Sequence, residues 1–181
     1  MEIKQIKVGQ LDTNCYILKT DEEVFIVDPG GDPQEIVKHV ENQKVKIINT
    51  HYHYDHTIAN EEIKKKFNAE ILIHEDEKKY IDFEADRFLK EGDILKINSH
   101  ELEVLHTPGH TEGSICLIGE GFVITGDTLF EGGYGRTDLP GGDHMKMFKS
   151  LKRLNDIIKE NTTIYPGHGE PFIWAEASSI C

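Results

Sequence analysis

Six consecutive residues, His51-Tyr52-His53-Tyr54-Asp55-His56, carry three imidazoles and a carboxylate. They follow a β-type run that ends at Thr50. In an extended chain residues two apart point the same way, so His51 and His53 can grip one metal ion. Asp55 and His56 fall where the chain turns into a helix, and a second ion is physically reasonable there. So many ligand-type side chains in six positions serve no packing purpose. Three more share one context. His110 follows the run Leu102 to Leu105 and Pro108-Gly109, Asp127 follows Phe122 to Thr125 and Gly126, and His168 follows Thr163 to Tyr165 and Pro166-Gly167. Each stands just past the C-terminal end of a β run, as His51 does, and rigid strands hold loops that carry function. Imidazole and carboxylate donors suit zinc, and iron or manganese also accept them. Such a centre activates water for hydrolysis.

The elements that must position these residues are short. Strands are predicted for Glu2 to Val8, Cys15 to Lys19, Val24 to Val27, Val45 to Asn49 and Ile71 to Ile73, with helices over Pro33 to Val40, Thr57 to Phe67 and Glu75 to Phe83. A polar stretch, Glu84 to Gly92, crosses to the second half. There Ile94 to Ile97, Leu102 to Leu105, Ser114 to Ile118, Phe122 to Thr125 and Thr163 to Tyr165 read as strands. Gly126 to Gly142 reads as a structured Gly-rich loop. Asp143 can cap a helix running to about Lys159, with Met147, Leu151, Leu154 and Ile158 on one side. Strands outnumber helices in both halves, which points to an α/β protein with two β layers and helices outside. The 181 residues suit one domain, 1-181.

Composition narrows the functions. The net charge of −13, from 20 Lys plus Arg against 33 Asp plus Glu, speaks against a nucleic-acid partner. No apolar run is long enough for a membrane helix, and the start MEIKQIKVGQ lacks the apolar core of a secretory signal. Cys15, Cys116 and Cys181 are too few and too scattered for a disulfide scaffold or a thiolate zinc site, so a cytoplasmic location is expected. Cys15 and Cys116 read as buried strand residues and Cys181 as part of a loose tail.

T-H-Y-H-Y-D-H, T-P-G-H-T-x-G-S, T-G-D-T-L-F, G-R-T-D and Y-P-G-H-G, in this order over residues 50 to 169, resemble the metallo-β-lactamase superfamily, in particular its glyoxalase II-like (hydroxyacylglutathione hydrolase-like) members. The resemblance implies an αββα sandwich with two metal ions, most simply Zn2+, at one edge. By position it places His51, His53 and His110 on the first ion and Asp55, His56 and His168 on the second. Asp127 bridges both together with a hydroxide, and Asp55 and Asp127 beside that nucleophile are the catalytic candidates. The β-lactamases of the superfamily break this set of seven, often at the position of Asp127, which speaks against antibiotic hydrolysis. Full-length glyoxalase II enzymes add a C-terminal helical domain for glutathione. Only about a dozen residues follow His168 here, so a different or smaller thioester is an alternative substrate.

The resemblance therefore implies hydrolysis of a small thioester such as S-2-hydroxyacylglutathione. Thiolate leaves readily, so no strong general acid is required. The alternative is a persulfide dioxygenase with one iron on His51, His110 and Asp127; Leu139-Pro140-Gly141-Gly142 after G-R-T-D looks more like the hydrolases. Arg136 and Tyr134 are the candidate substrate contacts. The plainer readings are a guanidinium fork clamped on Asp138 or Asp55, and a packing tyrosine. Asp28 is expected to fix a loop near the centre. His106 and His144 are the remaining histidines within possible reach of it, whereas His39, His74 and His100 are expected to play no part. The oligomeric state has no sequence signature.

Overall fold

A computed structural model describes residues 1–174. Two six-stranded sheets pack face to face. One has the order β1-β2-β3-β4-β5-β6, the other β12-β11-β10-β9-β8-β7. The first comprises β1 Glu2–Val8, β2 Thr13–Lys19, β3 Glu23–Val27, β4 Lys44–Ile48, β5 Glu70–His74 and β6 Arg87–Leu89. The second comprises β7 Ile94–Ile97, β8 His100–His106, β9 Ile115–Gly119, β10 Phe122–Gly126, β11 Thr163–Pro166 and β12 Phe172–Ile173. The chain thus completes one sheet before it begins the other.

Period-two alternation explains the layers. In β3, Phe25 and Val27 join Tyr16, Leu18, Ile48 and Leu72 between the sheets, against Leu95, Leu102, Val104, Leu117 and Ile124. Val24 and Ile26 face outward beneath Ile36 and Ile63, which lie on α1 Pro33–Ile36 and α3 Asn60–Phe67. Burial on both faces makes such a strand read as an unbroken apolar run. On the far side Leu105, Cys116, Val123 and Ile164 pack on Met147, Leu151 and Leu154 of α4 His144–Ile157. The expected αββα sandwich is what the chain forms. Cys15 and Cys116 are buried free thiols, as read from the sequence; Cys181 lies outside the described residues. Among those residues no helix is long and apolar enough to cross a membrane.

Several local expectations give way. The helix expected over Pro33 to Val40 is one α turn followed by a 3-10 turn, Val37–His39. The one expected over Thr57 to Phe67 is split into α2 Tyr54–Thr57 and α3, because the Ala59 N–H donates to Pro29 rather than continuing the helical ladder. Glu75 to Phe83 holds only a 3-10 turn, Glu75–Glu77, since Glu77 turns into the interior. The polar crossing contains β6, and β12 follows His168. α4 matches its expectation, and the Asp143 carboxylate accepts from the Lys146 N–H at its start.

Strand direction brings the candidate residues together. β3 to β6 are mutually parallel. β8 and β10 are both antiparallel to β9, and β11 is parallel to β10, so these three run the same way. The loops after β4, β8, β10 and β11 therefore open at one edge of the sandwich, the place where strand ends present functional groups.

Candidate metal centre

Two clusters of donor atoms form at this edge. His51, His53 and His110 make one, and Asp55, His56 and His168 the other. In the first the rings stand nearly perpendicular: His51 to His53 at 4.8 Å and 90°, His51 to His110 at 4.8 Å and 80°, and His53 to His110 at 4.6 Å and 83°. His53 Nδ1 lies 2.9 Å from His110 Nε2. In the second, His168 Nε2 is 3.4 Å and His56 Nε2 3.6 Å from Asp55 Oδ2. Asp127 stands between the clusters. Its Oδ1 is 3.5 Å from His56 Nε2, and its Oδ2 is 3.5 Å from His110 Nε2 and 3.7 Å from His168 Nε2.

The contacts of Asp55 and Asp127, at 3.4 to 3.7 Å, are too long for good hydrogen bonds. They approach the ~3.3 Å edge of a tetrahedron of N and O donors around an ion with bonds of about 2.0 Å. Nε2 of His51, His53 and His56 and Oδ1 of Asp127 are buried without any hydrogen-bond partner. Buried polar atoms left so are costly, and cations at the two clusters would satisfy those of His51, His56 and Asp127. The residues present therefore fit a two-metal centre.

The far nitrogen of four rings is already committed. His51 Nδ1 meets Thr50 Oγ1 at 3.1 Å, His56 Nδ1 meets Asp28 Oδ2 at 3.0 Å, His110 Nδ1 meets the Arg136 carbonyl at 2.7 Å, and His168 Nδ1 meets the Leu11 carbonyl at 3.1 Å. Each contact leaves Nε2 for a ligand role. Burial, reinforced by neighbouring imidazoles, holds His51 and His53 below the usual histidine range, His53 at about 4. Burial also resists charge on His56, but Asp127, Asp28 and Asp55 outweigh it and raise this ring to about 9. Asp55 is held down to about 2 against its burial, by His168 and His56. The second cluster is thus an attractive place for positive charge even before any metal is bound.

Residues around the clusters fix them in space. Asp28 is in the left-handed region at φ 53° and accepts from the Thr50 N–H at 2.7 Å and the Thr50 hydroxyl at 2.6 Å as well as facing His56. This is the loop-fixing role expected of it. At Gly167 an added Cβ would lie 2.1 Å from Asp127 Oδ1, so only glycine lets the His168 loop pass so close. That loop is tied across the sandwich: the Asn14 amide donates to the carbonyls of Pro166 and Gly169, both at 2.9 Å, and the Tyr16 hydroxyl to Pro166 at 2.6 Å. Thr13 Oγ1 donates to Asp55 at 3.2 Å. The roles of Thr13, Asn14 and Tyr16 were invisible in the sequence, because their partners lie 42 to 155 residues away.

The structure places the other candidates differently. Arg136 forks onto Asp138 through two bonds of 2.8 Å and does not reach for Asp55. Both side chains are exposed. Tyr134 is partly exposed and clusters with His144 at 6.3 Å and Phe148 at 5.8 Å, next to Gly135, whose N–H donates to the Asp127 carbonyl. His106 turns away from the centre. It stacks on His74 at 4.1 Å with planes 16° apart, near Asp76, so His74 has a packing role that was not anticipated. Face-to-face rings cannot aim nitrogens at one ion as the perpendicular rings of the main centre do, although the three side chains gather.

The metallo-β-lactamase superfamily model matches residues 8–168, nearly the whole described chain. The chain belongs to the metallo-β-lactamase superfamily. A superfamily relative from Haemophilus influenzae, the hydroxyacylglutathione hydrolase GloC, is 34% identical over 93% of this chain and 91% of its own. Among solved structures, the B3 metallo-β-lactamase BLEG-1 superposes with a TM-score of 0.91 at 30% identity, covering 98% of this chain and 97% of that one. TTHA1623, solved in a di-iron-bound form, gives 0.85 at 27%, covering 97% and 96%. The superfamily membership makes the protein a metal-dependent hydrolase by kinship, and its two donor clusters agree with that.

Ligands drawn from four strand ends tie both sheets together, so metal removal should be felt globally. With metal at about a hundred times its dissociation constant, binding contributes ~2.7 kcal/mol, or roughly 5–10 °C in a domain of this size. Chelation is expected to lower the melting temperature by that amount. An unchanged melting curve after metal loss has been verified by elemental analysis would count against the centre.

Proposed function

We propose that the protein is a two-metal thioester hydrolase acting on S-2-hydroxyacylglutathione-like substrates, with His51, His53 and His110 holding one ion, Asp55, His56 and His168 the other, and Asp127 bridging them. The observation that carries this reading is the position of Asp127, whose two oxygens face different clusters. Divalent ions bound there, zinc foremost and iron or manganese also suited to the donors, would supply hydroxide at neutral pH and polarise an acyl carbonyl.

The chain's own groups do the rest. Asp55 and Asp127 place carboxylate oxygens at the open edge, where they can orient a water and accept its hydrogen bond. The Asp28 contact keeps the His56 ring from turning. Tyr134, beside the centre, offers a ring against the substrate, and Arg136 a charge for a carboxylate. The Haemophilus relative, named as a hydroxyacylglutathione hydrolase, is matched over nearly all of its length, which supports a glutathione thioester as substrate. A small-molecule substrate, a cytoplasmic setting and the lack of a nucleic-acid or membrane partner belong to the same proposal; they rest on the net charge of −13 and the buried free thiols.

The test is metal analysis of protein purified with and without air, paired with three assays: thioester cleavage, oxygen uptake with a persulfide, and hydrolysis of a β-lactam. Two metals per chain with thioester cleavage is the expected result. One iron with stoichiometric oxygen uptake would overturn it in favour of a dioxygenase, and efficient lactam hydrolysis in favour of the chemistry named for the BLEG-1 neighbour. Arg136 is testable in the same assay. Lysine keeps the charge but loses the fork, so Arg136→Lys should raise KM about 3- to 10-fold at constant kcat and melting temperature. A drop in melting temperature with unaltered KM would make the Asp138 clamp its whole role.

A further inference from the structure

The T-P-G-H-T-x-G-S segment supplies one candidate ligand, His110, and the proposed chemistry leaves its last four residues without a task. Their neighbour explains them. Glu77 ends the 3-10 turn after β5, in the first sheet, and is fully buried. Its Oε1 accepts from the Thr111 hydroxyl at 2.5 Å and from the Gly113 N–H at 2.7 Å. The Thr111 hydroxyl also meets Ser114 Oγ at 2.7 Å, and that oxygen accepts from the Thr111 N–H at 3.0 Å. A Cβ at Gly113 would lie 2.6 Å from Glu77 Cγ, so glycine is required for the carboxylate to come this close. Thr111, Gly113 and Ser114 thus form a socket for a single side chain from the opposite sheet.

The socket adjoins His110, whereas His51 and His53 follow β4, the strand paired with the β5 that leads into Glu77. We infer that Glu77 is a positioning residue that sets His110 against His51 and His53 and so tunes the metal affinity of that cluster. A carboxylate suits the task because one oxygen can accept two convergent donors. Its second oxygen, Oε2, is buried without a partner. Burial, aided by Glu112 and Asp76, pushes the carboxyl up to about 7 despite the bonds from Thr111 and Gly113. The inference rests on His110 being a metal ligand and is independent of the substrate.

The test is a chelator-competition titration with Zn2+ or Co2+ that resolves two stepwise constants, with His110→Ala as the reference for loss of the first cluster. Removing an outer partner of a ligand typically costs 10- to 100-fold in metal affinity. Glu77→Ala is expected to weaken the step that His110→Ala abolishes by about that factor and to spare the other. Glu77→Gln, which keeps an accepting oxygen, should restore it to within roughly 3-fold of wild type. Should Glu77→Ala fold poorly, Thr111→Val removes one donor while keeping the bulk of the side chain, and should weaken the same step selectively. Wild-type constants in these variants, or equal weakening of both steps in parallel with the melting temperature, would overturn the inference. If His110→Ala itself leaves both constants unchanged, the ligand assignment is at fault.

Discussion

Asp127→Ala is expected to release metal from both clusters and to lower thioester turnover by at least about a thousandfold. The residue follows β10, and its two carboxylate oxygens face His56 on one side and His110 and His168 on the other, at 3.5 to 3.7 Å. Alanine removes a donor from each cluster at once and takes away one of the carboxylates that face His56. No other candidate is shared in this way, so no other single change should empty both. Asp127→Asn is the informative companion: it keeps the shape but replaces one oxygen with an amide, and should retain the fold while losing most of the metal. Elemental analysis together with turnover decides the matter. A variant that keeps two metals per chain and most of its activity would falsify the bridging role.

The second large effect separates reaction classes. His168→Ala removes a ring that belongs only to the second cluster and is partly open to solvent, so the fold should survive. In a two-metal hydrolase this loss should cost about a hundredfold or more in turnover. In a one-iron oxygenase using His51, His110 and Asp127 the ring holds no metal, and oxygen uptake with a persulfide should persist. Measuring both reactions on one preparation, alongside metal content, gives opposite outcomes for the two readings. Thioester cleavage that survives the substitution would sink the two-metal proposal.

The sequence disclosed the candidate centre because its parts are local. Each of His51, His110, Asp127 and His168 follows an apolar run, and period-two patterns place those runs without knowledge of their partners. The sandwich was legible for the same reason. What stayed hidden depends on contacts between segments far apart. Glu77 looks like one acid among three in Glu75-Asp76-Glu77, and its burial depends on a glycine 36 residues later. Asn14 looks like a turn residue and holds a loop more than 150 residues away. The broken helices share the cause. Ala59 obeys helical periodicity, but its N–H is taken by Pro29, a tertiary choice that propensity does not encode.

The chain finishes one sheet before starting the other, with only the short passage from Leu89 to Ile94 between them. This order bears on biogenesis. A nascent chain released from the ribosome as far as β6 already carries His51, His53, Asp55 and His56, but His110, Asp127 and His168 are still to come. At that stage neither cluster is complete, and the early half can offer a passing ion only part of each coordination shell. Secure capture waits for translation of the last loops. Ligand choice and metal availability to the finished chain, rather than to the nascent one, would then set which ion it carries, and expression in media of different metal content tests this.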